Sequence, residues 1–302
     1  MRRRFLVFTN PGAGFWRPVL AEASLRLLER GGADVRRVTP PDVASLRREV
    51  RAAAQSGDYD AIVAVGGDGT VRQMAAALLG SATPLGLIPA GTGNVLAHEI
   101  GLARTPADVV RTLVEGVIVP VPAARANGEP FLLMAGAGFD GHVVAALDQR
   151  LKSRIGKLAY AGPMLGALVK ASDTLSVSVD GHPHEATWAV VSNACHYGGR
   201  FVLARRTSVH QHGLEAVLFR SRSRAELLAQ LLSLMCGGLT ARATAGRGVE
   251  MLSCTHVTIT SHRPVPVQID GDSFGTTPLE IEAGSDAVRL IMPAAPGTPA
   301  RG

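Results

Sequence analysis

The stretch AIVAVGGDGT, Ala61 to Thr70, places five apolar residues directly before a glycine turn that contains one carboxylate. A short apolar run that ends in such a turn is typical of a buried parallel strand that passes into a helix. The segments on both sides repeat the pattern, with apolar residues at helical spacing after each apolar run. The first 122 residues therefore predict an α/β domain with a doubly wound, mostly parallel sheet.

Predicted strands and helices alternate along this part of the chain. The strands are Phe5–Phe8, Val35–Val38, Ala61–Val65, Leu85–Ile88 and Val117–Val121. The helices are Pro18–Arg30 and four more that begin after Asp42, Thr70, Asn94 and Thr105. Asp42 and Asn94 are interpreted as helix caps, because short polar side chains accept hydrogen bonds from the first turn of a helix. The helix after Asn94 is expected to end near Gly101.

From about residue 123 the pattern changes to single-residue alternation, which is typical of antiparallel strands. The predicted strands are Leu175–Val179, Ala186–Val191, Leu214–Phe219, Val257–Thr260, Val265–Ile269, Leu279–Ile281 and Val288–Met292. Asp180-Gly181 predicts a hairpin turn. One helix is expected from Ser223 to Gly237. Its apolar stripe is interpreted as core and consists of Leu227, Leu228, Leu231, Leu232 and Met235.

The predicted domain organisation follows from this change of pattern. Residues 1–122 are predicted to form the α/β domain, and residues 123–292 a mainly antiparallel, β-rich domain. Whether the last strand, near residues 288–292, stays in the second domain or packs back onto the first is left open. Residues 293–302, rich in proline, alanine and glycine, predict a disordered tail.

Composition limits the class of protein and its partners. The 302 residues are 46% apolar and carry a formal net charge of +6, which excludes a disordered protein and suits anionic partners. The basic patches Arg2–Arg4 and Arg205-Arg206 lack interleaved aromatic residues, so nucleic acid is not an expected partner. No stretch reaches the length of a transmembrane helix. Three separated cysteines without a CxxC pair indicate reduced thiols in a cytoplasmic protein.

Three glycine turns each follow a predicted parallel strand. They are Asn10-Pro11-Gly12-Ala13-Gly14, Gly66-Gly67-Asp68-Gly69-Thr70 and Gly91-Thr92-Gly93-Asn94. Loops after the strands of a doubly wound sheet emerge at one edge, where ligands bind. Because glycine turns point backbone N–H groups at a ligand and the next helix adds its positive end, the three turns together predict a phosphate site. Any one turn alone is equally well explained as a tight connection.

The sequence excludes two other phosphate-binding patterns. It contains no GxxxxGK[ST], none of the three turns is a GxGxxG, and no lysine lies near them. Phosphate charge must then be neutralised by backbone dipoles, arginine and a magnesium ion. A carboxylate repels phosphates, so Asp68 is expected to hold Mg²⁺ or to accept a proton from an attacking hydroxyl, with capping of its own turn as the structural alternative.

Motifs along nearly the whole chain resemble the diacylglycerol kinase catalytic-domain family, which includes sphingosine kinases and soluble bacterial lipid kinases. The motifs are the Asn-Pro-Gly opening, GGDGT at 66–70, PLGLIPAGTGN at 84–94, GAGFD at 136–140, KLAY at 157–160, YGG at 197–199 and IDGD at 269–272. NAD kinases share GGDGT alone. The combination with IPAGTGN and the late acid turn is specific to the lipid kinases.

The resemblance implies a nucleotide domain, a β-rich lipid-substrate domain and ATP in the cleft between them. The implied ATP-binding residues are Asn10, Pro11, Gly12, Gly14, Thr39, Gly66, Gly67, Asp68, Gly69, Thr70, Gly91, Thr92 and Asn94. Catalytic roles are implied for Asp68, Asp270 and Asp272, and which of them is the base stays open. The implied reaction uses ATP and Mg²⁺ to phosphorylate a hydroxyl of a membrane lipid, such as diacylglycerol or a sphingoid acceptor.

Several positions depart from the family pattern. Arg72 and Gln73 stand where Asn-Glu is usual, although Arg72 is a candidate phosphate ligand, and Asp272 stands where glutamate is typical. His212-Gly213 replaces an Asp-Gly that supports a structural Mg²⁺, so the metal ligands are unknown. These departures keep a non-catalytic nucleotide- or lipid-binding protein as an alternative, with an NAD-kinase-like enzyme less favoured.

Location and assembly are inferred less directly. The histidine pairs His182/His184 and His210/His212 lack the spacing typical of zinc sites. The expected location is the cytoplasm, with peripheral contact between the basic patches and an anionic membrane surface. The oligomeric state stays open, with a homodimer among the options.

Overall fold

A computed structural model of the chain describes residues 1–10, 18–148, 159–170, 174–237 and 248–294. The predictions for Pro11, Gly12, Gly14 and most of the C-terminal tail lie outside the described residues. Residue contacts divide the chain into two units, Met1–Val121 with Asp286–Gly302, and Pro122–Ser285.

The first unit contains a six-stranded sheet with helices in the connections. Its elements up to the first unit boundary are β1 (Arg4–Thr9), α1 (Pro18–Arg30), β2 (Asp34–Val38), α2 (Val43–Ser56), β3 (Ala61–Gly66), α3 (Asp68–Leu78), β4 (Leu85–Pro89), α4 (Val95–Glu99), α5 (Pro106–Glu115) and β5 (Val117–Pro122). The last strand of the chain, Ala287–Met292, lies in this sheet between β4 and β5.

Strand pairing in this sheet is parallel at β1/β2, β1/β3 and β3/β4, and where the last strand meets β4. The prediction of a mostly parallel sheet is therefore confirmed. All six residues of β3 are buried, which is expected for a central strand covered on both faces. Helix α1 has the predicted bounds and buries Ala21, Leu25 and Leu28, which share one side of the helix.

The helix after Asn94 ends near Gly101, as predicted, with Glu99 as its last residue and Ile100 as its C-cap. The prediction that the Asn94 side chain caps this helix was wrong. Asn94 has a φ of 49° and bonds instead to the backbone of Gly91. An asparagine side chain engaged in its own turn cannot also reach the N–H groups of the following helix.

The second unit contains two antiparallel six-stranded sheets. Its elements are β6 (Ala124–Ala126), β7 (Glu129–Phe131), β8 (Met134–Ala137), α6 (Phe139–Ala145), α7 (Ala161–Lys170), β9 (Leu175–Val179), β10 (His182–Ala186), β11 (Trp188–Ser192), β12 (His196–Tyr197), β13 (Phe201–Val202), β14 (Leu214–Phe219), α8 (Arg224–Gly237), β15 (Val249–Cys254), β16 (His256–Ser261), β17 (Pro266–Ile269), β18 (Asp272–Thr276) and β19 (Leu279–Glu282). The chain then ends with β20, Ala287–Met292, in the first unit.

The two large sheets of this unit share one core, as in a β-sandwich. Their strand orders are β10-β9-β16-β19-β6-β7 and β15-β14-β11-β8-β17-β18. Val177 and Val257 from the first sheet belong to the same buried cluster as Val191 and Ile269 from the second. The predicted β-rich architecture is therefore confirmed. Within the described residues, no helix is long and apolar enough to cross a membrane.

The strand predicted over Ala186–Val191 is two strands that belong to different sheets. β10 ends at Ala186 and β11 begins at Trp188. Thr187 between them donates from its N–H and its hydroxyl to the carbonyl oxygen of Phe219, at 2.8 and 3.1 Å. A continuous apolar run does not reveal this change of sheet, because both strand ends are buried.

The apolar stripe of the helix over Ser223–Gly237 is only partly core. Leu227 and Leu231 are buried, whereas Leu228, Leu232 and Met235 are exposed. The prediction was wrong for the last three because Gln230 takes a buried position on the inner side of the helix.

Candidate functional site

Two of the three glycine turns lie against each other at the carboxyl ends of β3 and β4. The N–H groups of Ala90 and Gly91 donate to the carbonyl oxygen of Gly66, at 3.0 and 3.1 Å. A Cβ added to Gly67 would stand 3.3 Å from the Cα of Gly91. The close approach of the two backbones explains why both positions are glycine.

Asn10 and Thr39 lie at the same edge of the sheet. The Asn10 side chain donates to the Thr70 hydroxyl at 3.5 Å, and its N–H donates to the carbonyl oxygen of Val65 at 3.4 Å. Thr39 follows β2, and its hydroxyl lies 2.6 Å from that of Thr9 at the end of β1. The predicted site residues of this unit that the structure describes therefore lie at one edge of the sheet, at the ends of four neighbouring parallel strands.

Asp68 caps a helix other than its own. Its Oδ2 accepts a hydrogen bond from the N–H of Val95 and its Oδ1 accepts one from the N–H of Leu96, each at 3.0 Å. These are the first two N–H groups of α4, which have no acceptor within the helix. The carboxylate therefore ties the GGDGT turn to the second glycine turn. It also occupies the donors at the start of α4 that the sequence suggested for phosphate.

The start of α3 is the helix end that suits an anion. Its N-cap is Gly67, which has no side chain to cap the helix. The helix has 11 residues, so its peptide dipoles place partial positive charge at this end. Glycine at positions 67 and 69 puts no side chain over the backbone N–H groups. Free backbone N–H groups and the helix dipole together make such a terminus suitable for phosphate.

Thr92 and Asn94 are both buried in the second turn. Oδ1 of Asn94 accepts from the N–H of Gly91 at 3.0 Å, and its Nδ2 donates to the carbonyl oxygen of Gly91 at 2.8 Å. The side chain therefore shapes the turn. Any contact with a ligand at this turn falls mainly to the backbone.

Arg104 is a residue of this edge that the sequence did not single out. Its Nη2 donates to the carbonyl oxygen of Gly93 at 3.3 Å and lies 2.6 Å from Nε2 of His98. Arg104 follows α4 and belongs to no glycine motif, so its positive charge was the only signal in the sequence. Arg72, the arginine suggested from the motif, is buried within α3.

In the second unit, the acid turn has the geometry of a two-residue hairpin. Asp270 and Gly271 have φ values of 48° and 81° and connect β17 to β18. The buried Asp270 carboxylate accepts three backbone hydrogen bonds, from Leu132 at 3.0 Å, Leu133 at 2.9 Å and Met134 at 3.0 Å. Asp270 therefore holds the segment before β8 in place, whatever chemical role it has. Asp272 is half-buried at the start of β18.

Gln268 connects this turn to a buried acid, Asp140. Oε1 of Gln268 accepts a hydrogen bond from the N–H of Gly271 at 2.9 Å, and Nε2 of Gln268 donates to Oδ2 of Asp140 at 3.0 Å. Burial raises the pKa of Asp140 to about 7, against the opposing effect of the bonds from Gln268 and Gly141. Burial also raises the pKa of Tyr197, and the charge of Asp140 adds to that shift. The sequence marked Asp140 only as part of a motif.

The described residues contain no group of three or more histidine, cysteine, aspartate or glutamate side chains that could hold a metal ion. His212 lines a cavity of about 310 Å³ together with Asp180. The Asp180 carboxylate accepts hydrogen bonds from the N–H groups of Thr255 and His256. A dedicated metal cage made of protein ligands is therefore not part of the described structure.

Comparisons with known proteins match both units. The diacylglycerol kinase catalytic domain model matches residues 4–126, and the YegS C-terminal NAD kinase beta sandwich-like domain model matches residues 134–292. The chain belongs to the diacylglycerol kinase family with a YegS-type C-terminal domain. The resemblance seen in the sequence motifs is thereby confirmed.

Relatives of this diacylglycerol kinase family cover most of the chain. A diacylglycerol kinase of Mycobacterium tuberculosis is 28% identical over 299 residues, 94% of each protein. An uncharacterized protein of Synechocystis sp. is 28% identical over 239 residues, 77% of this chain and 54% of that protein, so this chain spans about half of that relative. The crystal structure of a diacylglycerol kinase from Bacillus anthracis shares the fold, with a TM-score of 0.68 at 20% identity, covering 96% of this chain and 97% of that one.

Proposed function

We propose that this protein transfers the γ-phosphate of ATP to a hydroxyl of a membrane lipid, such as diacylglycerol or a sphingoid acceptor. The observation that carries the proposal is the pair of contacting glycine turns, Gly66–Thr70 and Gly91–Asn94, at the carboxyl edge of the parallel sheet. Ligands of open α/β sheets bind at this edge. Membership of the kinase family supports phosphoryl transfer, and the name of the Mycobacterium tuberculosis relative supports a lipid acceptor.

The first unit supplies the groups that would bind nucleotide phosphates. The start of α3, with Gly67 as its N-cap, offers backbone N–H groups and the positive end of a helix dipole. Arg104 adds a positive charge beside the second turn. Phosphoryl transfer depends mainly on positioning and on neutralising charge, which this set of groups provides.

The donor set fits a magnesium ion brought by the nucleotide. Such an ion keeps several waters and needs only one or two protein carboxylates in addition to phosphate oxygens. Asp68 is the acidic residue of the GGDGT turn and would serve that role. When bound, Mg²⁺ would neutralise negative charge on the phosphates.

We assign activation of the lipid hydroxyl to the acid turn of the second unit. A carboxylate of the pair Asp270 and Asp272 would accept the hydroxyl proton while the hydroxyl oxygen forms a bond to the γ-phosphorus. The bond between that phosphorus and the bridging oxygen breaks, and ADP leaves. The three backbone hydrogen bonds that Asp270 accepts would fix the turn. Asp272, which is half-buried, would be held at the end of this turn.

The test is transfer of label from γ-labelled Mg-ATP into a total lipid extract. Labelled lipid is expected with the wild type and with Thr105→Ala, a helix-cap variant at a residue outside both glycine turns. No labelled lipid is expected with Asp68→Ala. Wild-type turnover by Asp68→Ala would contradict the proposal.

Two other outcomes would identify the alternative functions. ATP binding without any labelled product would indicate a non-catalytic nucleotide-binding protein. Label transferred to NAD and not to lipid would indicate an NAD-kinase-like enzyme, for which the second unit's family description is the supporting observation.

A further inference from the structure

Helix α8 buries a glutamine and exposes leucines, which reverses the usual arrangement of a surface helix. Gln230 is 3% exposed, whereas Leu228 is 46% exposed and Leu232 is 50% exposed. The hydroxyl of Ser221 donates to Oε1 of Gln230 at 2.6 Å. Turning the helix to bury its leucines would break this bond and bring Gln230 out of its buried position. The exposure of the leucines is therefore built into the packing.

The outer side of α8 carries no charge among its described positions after Arg224. The exposed residues there are Ala225, Leu228, Ala229, Leu232, Met235 and Cys236. The inner side buries Leu227, Leu231 and Leu234 beside Gln230. A helix at a water surface normally carries charged residues on its outer side, so an uncharged outer side indicates a face that another molecule or lipid covers.

Helix α7 extends this surface. Leu165 and Val169 are 67% and 58% exposed and lie four residues apart, on one side of the helix. The two helices contact each other, and Nη2 of Arg224 donates to the carbonyl oxygen of Val169 at 3.4 Å. We call the exposed side chains of Leu165, Val169, Leu228, Leu232 and Met235 the apolar face. These five are among the eleven large hydrophobic residues exposed in the described chain.

The charge next to the apolar face is positive. Arg222 and Arg224 are exposed at the start of α8. Glu226 is the one acid of this helix, and it accepts a hydrogen bond from the N–H of Arg222 at 2.8 Å. Cations beside exposed leucines match anionic headgroups above an acyl region.

We propose that the apolar face of α7 and α8 docks onto an anionic lipid bilayer. Its five side chains enter the acyl region, and Arg222 and Arg224 contact phosphate headgroups. The choice of a bilayer rests on the proposed function, since the acceptor lipid lies in a membrane. A second copy of the chain is a poorer occupant, because its own apolar face would bring further arginines and no anionic groups to complement Arg222 and Arg224.

The experiment measures binding to vesicles in the absence of ATP, so its result does not depend on phosphoryl transfer. The wild type, Leu228→Gln/Leu232→Gln and a control, Val19→Gln/Leu27→Gln, are sedimented with vesicles of phosphatidylglycerol and phosphatidylcholine. The control changes two exposed apolar residues of α1 in the other unit. Circular dichroism and the thermal unfolding midpoint establish that all three proteins are folded.

We expect the α8 variant to lose vesicle affinity by about tenfold for each leucine, while the control binds like the wild type. Arg222→Gln/Arg224→Gln is expected to weaken binding to anionic vesicles and leave any weak binding to neutral vesicles unchanged. Three outcomes would overturn the proposal. They are no binding of the wild type, an equal loss in the control, and a wild-type dimer that the α8 variant converts to a monomer. Failure of the kinase assay alone would overturn only the proposed function.

Discussion

The Asp68 carboxylate and the backbone N–H of Leu96 are joined by a 3.0 Å hydrogen bond that links two glycine turns. Asp68 lies at the start of α3, and Leu96 lies in the first turn of α4. The side chain of Asn94, at the N-cap of α4, is used within its own turn. A carboxylate inside the GGDGT turn therefore has a structural reason to be there, in addition to any contact with a metal or substrate.

Replacing Asp68 with alanine leaves the first two N–H groups of α4 without their acceptor. We expect the free energy of unfolding to fall by about 1 kcal/mol, as for other lost helix caps. The turns would separate, and phosphoryl transfer should be lost from a protein that still folds. Urea unfolding and the γ-phosphate assay measure the two effects.

Thr105→Ala is the matched control, because Thr105 caps α5 through the N–H of Asp108 at 3.1 Å. It should lose a similar amount of stability and keep full activity. If both cap variants lost activity equally, the effect of Asp68 would be one of general stability.

Gly91→Ala tests the close approach of the two turns. The added Cβ would stand 3.0 Å from the nitrogen of Gly67 and 2.9 Å from Oδ1 of Asn94, which is too close without movement of the backbone. We expect ATP affinity to fall about tenfold and the free energy of unfolding to fall by about 1–3 kcal/mol. Isothermal titration with ATP and urea unfolding give both values.

Gly166→Ala in α7 is the control for the glycine change, since its Cβ would meet no atom of the described residues within 4 Å. Alanine is the better helix former, so the stability of this variant should be unchanged or up to about 1 kcal/mol higher. Equal ATP affinity in both alanine variants and the wild type would show that contact between the turns is not needed for binding.

Substitutions of the two acids of the acid turn should differ in their effects on stability and on turnover. Asp270→Ala leaves three buried N–H groups without an acceptor, so the free energy of unfolding should fall by at least about 3 kcal/mol. Asp272→Asn should change stability by less than about 0.5 kcal/mol. Its turnover should nevertheless fall about a hundredfold. Wild-type turnover by Asp272→Asn would remove this residue from the proposed mechanism.

The raised pKa of Asp140 predicts that the free energy of unfolding depends on pH. Burial raises its pKa from 3.8 to about 7, so between these values the folded protein holds a proton that the unfolded chain lacks. The resulting stabilisation is fully present below pH 4 and is lost as the pH rises to about 7. The free energy of unfolding of the wild type, relative to Asp140→Asn, should fall by about 2 kcal/mol between pH 5 and pH 7. A difference that stays constant over this range would show that Asp140 titrates normally.

Local features of the chain were predicted closely. Helix Pro18–Arg30 and strand Leu214–Phe219 have the predicted bounds, because periodicity and apolar runs are properties of neighbouring residues. The cap Asp42 was also found from a short polar residue before a helix, and the helix after Thr105 begins where it was predicted. The placement of two glycine turns at one edge followed from the rule for loops after parallel strands.

Features that depend on distant parts of the chain were missed. Asp68 caps a helix that begins 27 residues later, and Gln268 bonds to Asp140 across 128 residues of sequence. Arg104 reaches the second glycine turn without belonging to its motif. The split between β10 and β11 depends on the carbonyl oxygen of Phe219, 32 residues beyond Thr187.

The sequence by itself determined the two-part architecture, the parallel sheet, the glycine turns and the family. These follow from apolar periodicity and from short motifs, which are read within a few residues. Only the tertiary structure decided what each polar side chain binds and which leucines of α8 face solvent. A hydrogen bond or a buried position depends on where remote segments pack, and periodicity along one helix does not contain that information.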